Sequence, residues 1–234
     1  MAFGDIVRTT VVDSDSGDPI SATLSGSPAA DNLLVYWVMT FASNTTAGTG
    51  LLEAYENINS GNGDITALYY RVVQSGDGTT WEVDLGEADQ YAAILSEIEG
   101  AFAAAPLDQT GESEATNAGA VAVTASGSTT QADEFVAACW GVRDSDADVT
   151  GSSSVDNSFV NLLDEHNSEG FNWHLFVTRA TKVLTATGTP TVTMTISGGS
   201  NNTVWTNCIA TFKKAAGGGG PSIPSMGRTI YVMP

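Results

Sequence analysis

Short runs of β-branched and aromatic residues, separated by Gly, Ser, Thr, Asn and Asp, recur along the chain up to about residue 214 and constrain its fold most strongly. Runs of this kind favour pleated strands, and the residues between them favour turns. The strand candidates are DIVRTTVVD, NLLVYWVMTFA, TALYYRVVQ, TTWEVDL, AVAVTAS, EFVAACWGV, WHLFVTRATKVLTA, PTVTMTISG and TVWTNCIATFKK. The pattern predicts an all-β protein.

One of these runs, TVTMTIS, alternates strictly between apolar and polar residues. Val192, Met194 and Ile196 fall on one face, and threonines and Ser197 fall on the other. Such alternation predicts a sheet with one face in water. SGDGTT and TATGTPT lie between strand candidates and are predicted to be hairpin turns.

Two segments favour helix when considered locally. EADQYAAILSEIEGAFAAAP places apolar residues at helical spacing and is rich in helix-forming residues. The apolar positions are Tyr91, Ile94, Leu95, Ile98 and Phe102. SFVNLLDEHNSEG is a second candidate, for a short helical turn.

The chain contains a weak internal repeat. DNLLVYWV begins at Asp31, and the similar DEFVAACWGV begins at Asp133. Each is followed by a strand–turn–strand segment that carries an arginine, Arg71 or Arg179, and then by a final apolar run. The predicted fold class is therefore an antiparallel, jelly-roll-like two-sheet β-sandwich over residues 1–214, built from two similar strand–hairpin–strand halves that pack face to face.

The block from NLLVYWV to NCIATFK resembles a family of jelly-roll or lectin-like β-sandwich domains from tailed-phage virion proteins and some bacterial surface proteins. The most specific part lies between Leu162 and Lys213: an acidic turn, a strand with a basic residue, TATGT, a Thr-rich strand and a Trp before IATFK. The resemblance covers roughly residues 5–214 and carries no catalytic signature. It implies that YAAILSEIEGAF is a strand, as its repeat partner WTNCIATF is, so we set the helical interpretation aside.

The charge balance excludes several classes of partner. The chain has 8 Lys and Arg against 27 Asp and Glu, a formal net charge of −19. Such an acidic surface repels phosphates, so we expect no binding to nucleic acid or to anionic membranes. The N-terminal residues do not resemble a secretory signal, and the longest apolar run, LLVYWVMTFA, is too short to span a bilayer. We expect a soluble protein that is made in the cytoplasm and released by lysis if it leaves the cell.

The sequence contains no common catalytic motif: GxSxG, the P-loop and HExxH are absent, and SGNGDIT lacks the third glycine of a dinucleotide-binding loop. We therefore expect no enzymatic activity. Cys139 and Cys208 lie in apolar strand candidates and are expected to be small buried residues, and the sequence leaves open whether they pair. The five tryptophans are expected mainly in the core.

Acidic residues at alternate positions form two candidate sites for a hard cation such as Ca²⁺. The better candidate is DSDAD, with Asp144, Asp146 and Asp148, and the other is DSDSGD near the N-terminus. Neither continues into the pattern of an EF-hand, so the alternative is a solvated loop.

The C-terminal segment differs from the rest of the chain. Residues 215–220 are a predicted Gly-rich linker, and residues 221–234 are a predicted attachment arm. The arm ends in an alternating strand-like run that has no partner in its own unit and is expected to bind the sheet edge or groove of a neighbouring subunit. Its candidate partner-binding residues are Arg228, Thr229, Ile230, Tyr231, Val232 and Met233.

These expectations converge on a structural protein of a tailed-phage virion, assembled in the host cytoplasm as a capsid decoration or head-fibre protein and anchored by its arm to capsid or tail subunits. Virion symmetry favours a homo-oligomer such as a trimer. The alternative is a carbohydrate-binding or receptor-binding tail or adhesin module, which predicts exposed tryptophans on one face. A β-sandwich hydrolase would need a pair of carboxylates in a cleft.

Overall fold

The structure, a computed structural model, describes residues 2–144, 153–167, 174–196 and 203–216. These ranges contain sixteen β-strands and no helix. The first eight strands are β1 (Ile6–Gly17), β2 (Ile20–Thr23), β3 (Leu33–Thr40), β4 (Thr46–Ala47), β5 (Leu52–Ile58), β6 (Ile65–Val72), β7 (Thr80–Asp84) and β8 (Asp89–Ile98). The other eight are β9 (Phe102–Thr116), β10 (Ala120–Thr124), β11 (Glu134–Asp144), β12 (Ser153–Val155), β13 (Val160–Asn167), β14 (His174–Leu184), β15 (Thr191–Ile196) and β16 (Val204–Lys214).

The two halves of the chain have the same topology. The first half forms a five-stranded sheet in the order β1-β8-β3-β6-β5 and a three-stranded sheet in the order β2-β7-β4. The second half forms β9-β16-β11-β14-β13 and β10-β15-β12, which are the same orders shifted by eight strands. All pairings are antiparallel. Each half is thus a complete eight-stranded, jelly-roll-like sandwich.

The four sheets stack as layers with three apolar cores between them. The central core lies between the two five-stranded sheets and contains Trp37, Phe135 and Phe212. The outer cores lie between each five-stranded sheet and the three-stranded sheet of the same half. Since each buried large apolar side chain contributes roughly 1.5–3 kcal/mol, packing through the central core ties the halves together strongly.

The position of a strand in this stack explains its sequence pattern. All eight residues of β3 are buried, because its sheet is covered on both faces. The outer strand β10 instead alternates between exposed and buried residues. In β15, Val192, Met194 and Ile196 are buried, which confirms the predicted one-sided strand.

The prediction of an all-β antiparallel sandwich is confirmed. The segment that favoured helix locally forms strand β8, as its repeat partner implied, and the beginning of β9 at Phe102. It is buried on both faces, so its apolar residues need no alternation and their spacing matches a helix by coincidence. The helical turn expected within SFVNLLDEHNSEG is wrong, because residues 160–167 form β13 at the edge of a sheet.

Two finer predictions about the repeat are also wrong. In the first half, Arg71 pairs with Leu34. In the second half, the position equivalent to Leu34 is Val136, and Val136 pairs with Lys182. Arg179 lies three positions earlier, so Arg71 and Arg179 are not equivalent. The segments SGDGTT and TATGTPT are not hairpin turns, since each connects a five-stranded sheet to the outer sheet of the same half.

The two cysteines are direct neighbours in the central core. Cys139 on β11 and Cys208 on β16 occupy paired positions, and both are buried free thiols. Burial, together with the neighbouring thiol, raises the pKa of Cys139. The expectation of small buried residues is confirmed.

Polar side chains cross the boundary between the halves. The hydroxyls of Thr66 and Thr206 lie 2.6 Å apart within the core. Arg143 Nη1 donates to Asp64 Oδ1 over 3.2 Å, and both side chains are largely buried. Burial raises the pKa of Asp64 to about 6, although the arginine opposes this shift.

Candidate functional site

The root of the predicted arm is held within the second five-stranded sheet. Strand β16 lies between β11 and β9 and pairs with both along almost its whole length. Gln131 Nε2 donates to the carbonyl of Lys214 over 3.0 Å, and the Ala215 amide donates to Ala101 O over 2.8 Å. The chain is therefore held by hydrogen bonds as far as Ala215, the first residue of the predicted linker.

The arm itself lies outside the described residues. This also applies to residues 217–220 of the predicted linker 215–220, and to each predicted partner-binding residue: Arg228, Thr229, Ile230, Tyr231, Val232 and Met233. Their role stays a prediction. What the structure describes is the anchorage of the segment that leads to them.

A cluster of ionisable side chains, which the sequence did not single out, lies beside this root. Lys213 on β16, Asp108 on β9 and Glu134 on β11 come from three adjacent strands. Lys213 Nζ lies 3.6 Å from Asp108 Oδ1. The strand register could have indicated the cluster, because Glu134 and Lys213 are paired residues, but register is not visible in a single sequence.

The pKa values of the two carboxyl groups in this cluster are shifted in opposite directions. Burial raises the pKa of Glu134 to about 7, and the nearby Asp108 adds to the effect. Burial tends to raise the pKa of Asp108, but hydrogen bonds from Thr130 and the positive charge of Lys213 lower it by more. The pKa of Asp108 is therefore below its usual value. The Thr130 amide donates to Oδ2 over 2.6 Å and the Thr130 hydroxyl to Oδ1 over 2.8 Å. At neutral pH a proton is thus readily held on Glu134 beside an ionised Asp108.

The predicted cation site at Asp144, Asp146 and Asp148 is described only at its first residue. Asp144 ends β11, is buried, and accepts a hydrogen bond from the Thr203 hydroxyl over 2.7 Å. Asp146 and Asp148 lie outside the described residues. Within the ranges that the structure covers, no group of three or more His, Cys, Asp and Glu side chains is arranged to hold a metal ion. The Ca²⁺ site stays a prediction.

The four tryptophans that the structure describes are packed in the apolar cores. Trp37, Trp140 and Trp205 are fully buried, and Trp81 is 6% exposed. The indole nitrogens of Trp140 and Trp205 donate to the carbonyls of Val121 and Ala118. The expected core role is confirmed for these four, and Trp173 lies outside the described residues. A sugar-stacking platform made of these four side chains is therefore not available.

An open depression of about 530 Å³ on the first half contains an arginine that is already neutralised. Arg71 donates through Nε and Nη2 to both oxygens of Asp77, each over 2.7 Å, and its guanidinium lies 5.2 Å from the Trp81 ring centroid. The hydrogen bonds from Arg71 hold the pKa of Asp77 below its usual range. This arrangement fixes the loop after β6 and leaves little of the arginine for a ligand.

No helix in the described part of the chain is long and apolar enough to cross a membrane. Comparison with protein-family models, curated proteins and solved structures finds no match to this chain. The resemblance to phage virion β-sandwich domains therefore stays a prediction from sequence.

Proposed function

We propose that this protein is a non-enzymatic structural protein of a tailed-phage virion, a capsid decoration or head-fibre protein that residues 221–234 attach to the particle. The observation that carries the proposal is the anchorage of the segment that leads to the predicted arm. The segment that precedes it, β16, is an interior strand paired on both sides rather than an edge strand.

This placement suits a strand that transmits force. The inter-strand hydrogen bonds of an antiparallel sheet run perpendicular to the strands. A pull along β16 from its C-terminal end therefore shears its hydrogen bonds with β9 and β11 together instead of opening them one by one. A strand at the edge of a sheet would share the load with one neighbour only.

The body is suited to display in solution. The net charge of −19 on the chain disfavours non-specific association, and the three cores bury most of the large apolar side chains between four sheets. Jelly-roll sandwiches are frequent in viral capsid and lectin domains, which is support by analogy of fold alone. The partners we propose are capsid or tail subunits and further copies of this chain, in a homo-oligomer such as a trimer.

The test is incorporation into particles. Phage that lack the gene are supplied with the full chain or with a chain that ends at residue 216, and purified particles are probed for the protein. We expect the full chain on the particle and the truncated chain, folded, in the unbound fraction. Equal incorporation of both chains would contradict the proposal.

A finer pair of variants tests the strand pattern of the arm. Ile230→Asp with Val232→Asp places charges on one predicted face, whereas Thr229→Asp is a matched change on the opposite face. A strand that docks through its apolar face loses attachment in the first variant and keeps most of it in the second. Equal behaviour of both variants would argue against strand-like docking.

A further inference from the structure

The ionisable cluster beside the arm root has the composition needed to make a covalent bond between strands. An amine, a carboxyl group that it touches and a second carboxyl group that holds a proton can together form an amide. Lys213, Asp108 and Glu134 supply these three groups on β16, β9 and β11.

The reacting pair is held in contact. Asp108 has a side chain that is only 5% exposed, and its carboxylate lies 3.6 Å from Lys213 Nζ. The two hydrogen bonds from Thr130 fix the orientation of both oxygens and withdraw electron density from the carboxyl carbon. Positioning of this kind replaces a collision between separate molecules and is the main requirement for an otherwise slow condensation.

The third group is placed to move protons. Glu134 is fully buried, and its Oε2 accepts no hydrogen bond from the residues that the structure describes. A buried carboxylate oxygen in that state is costly, and a proton that Glu134 shares with Asp108 relieves the cost. Burial also raises the pKa of Glu134 to about 7, so the group can both give and take a proton near neutral pH.

We propose that Lys213 and Asp108 form an intramolecular isopeptide bond, with Glu134 as the proton carrier. Glu134 donates its proton to the Asp108 carboxylate and, now ionised, accepts one proton from the Lys213 ammonium, so that the neutral amine attacks the carboxyl carbon. Glu134 gives that proton to the departing hydroxyl, which leaves as water when the carbon–oxygen bond breaks. It then takes a second proton from the attacking nitrogen, which returns Glu134 to its starting state. Overall, one ammonium and one carboxylate become one amide and one water, with no oxidant, reductant or cofactor.

The corresponding corner of the first half provides an internal comparison. There the charges are reversed: Arg8 on β1 lies 3.1 Å from Glu97 on β8. By strand register, Glu99 occupies the position equivalent to Lys213, and Asn32 occupies the position equivalent to Glu134. A guanidinium stays protonated and is not a nucleophile under these conditions, and an amide side chain cannot carry protons in the same way. The same corner therefore holds an ordinary ion pair in one half and the reactive combination only beside the arm.

The location of the bond suggests a mechanical role. It would join β16 to β9 one residue before Lys214, at the place where the arm leaves the sheet. Tension on the arm would then pass through a covalent link before it reached the hydrogen bonds of β16. This mechanical role rests on the proposed function, whereas the bond itself does not.

Mass spectrometry of the purified full chain tests the bond. After denaturation, we expect the intact mass to be lower than calculated by one water, about 18 Da. Digestion with trypsin should show peptide 72–143 joined to the peptide that begins at residue 183, with no cleavage after Lys213. An unreacted mass after prolonged incubation at neutral pH would overturn the proposal. So would a water loss confined to a linear peptide, as succinimide formation at Asp77–Gly78 would give.

Three variants separate the chemistry from folding. Lys213→Arg keeps the charge pair and Glu134→Gln keeps the shape of the side chain, and both should retain the calculated mass. Asp108→Asn should form the same amide with loss of ammonia, about 17 Da, which gives a positive result that misfolding cannot mimic. Water loss that persists in Lys213→Arg would overturn the assignment. Because none of these measurements involves phage particles, they can fail or succeed independently of the incorporation test.

Discussion

Asp31 and Asp133 occupy the same backbone position in the two halves, and both have a left-handed conformation. Their φ angles are 69° and 57°, and each lies two residues before the first core residue of a central strand, Leu33 or Phe135. Aspartate tolerates this region better than most residues do. The similarity of DNLLVYWV and DEFVAACWGV thus reflects a turn that both halves share at Asp31 and Asp133, as well as equivalent core positions.

This relationship predicts how substitutions at the turn behave. Asp31→Ala and Asp133→Ala should each lower the free energy of unfolding by about 1 kcal/mol, since a left-handed Ala is strained. Asp31→Gly and Asp133→Gly should preserve or raise it, because glycine carries no such penalty. Urea denaturation checks both pairs, and equal stability of the Ala and Gly variants would refute the strain argument.

The contact between the halves depends on a glycine in β11. A Cβ on Gly141 would collide with the Thr66 hydroxyl and the Met39 sulfur of the first half. Gly141→Ala should therefore cost roughly 1–3 kcal/mol, because the close packing of the central sheets must open. Gly119→Ala is the matched control, since a Cβ there meets nothing within 4 Å. A small and equal effect of both substitutions in urea titrations would show that the sheets adjust freely.

Asp64 at the boundary of the halves predicts a dependence of stability on pH. Its folded-state pKa of about 6 is above the usual 3.8, so the folded protein binds this proton more tightly than the unfolded chain does. The resulting stabilisation is complete below the unfolded pKa and is lost as the pH rises through the folded pKa. Between about pH 4 and about pH 7 we expect a loss of roughly 2–3 kcal/mol from this group.

The pH effect is measured as the difference between wild type and Asp64→Asn across that pH range. Subtracting the stability of the variant from that of wild type removes the contribution of other carboxyl groups. Groups with a lowered pKa, such as Asp77, stabilise the protein more as the pH rises. The stability of wild type relative to the variant should fall as the pH rises from about 4 to about 7. A difference that does not change with pH would mean that Asp64 titrates normally.

The body should fold without the arm. A chain that ends at residue 216 keeps all of β16 and should retain the free energy of unfolding to within about 0.5 kcal/mol. A chain that ends at Cys208 loses the last part of an interior strand, including Phe212 of the central core, and should fail to fold. Thermal denaturation followed by circular dichroism checks both. A large loss of stability in the longer chain would assign the last residues to the fold.

Local sequence patterns predicted the longer strands of the outer sheets, β7, β10 and β15, and most of the inner strands, but they missed the short outer strands β2, β4 and β12 and were misleading for β8. Strand β15 alternates because one of its faces meets water, and its pattern predicts that face residue by residue. Strand β8 has both faces covered, so its apolar residues do not alternate and their spacing also fits a helix. The strand was indicated by the family resemblance and by the likeness to WTNCIATF, and both are comparisons that extend beyond the segment itself.

The composition and order of the apolar runs were enough to predict an all-β sandwich of two similar halves, because strand preference and repetition are local properties. Neither property says which sheet a strand joins or which residues face each other across it. Strand register makes Lys182, rather than Arg179, the residue equivalent to Arg71. Strand register also brings Lys213, Asp108 and Glu134 together. Register is set by the packing of four layers against one another, and this packing brings together residues that are far apart along the chain.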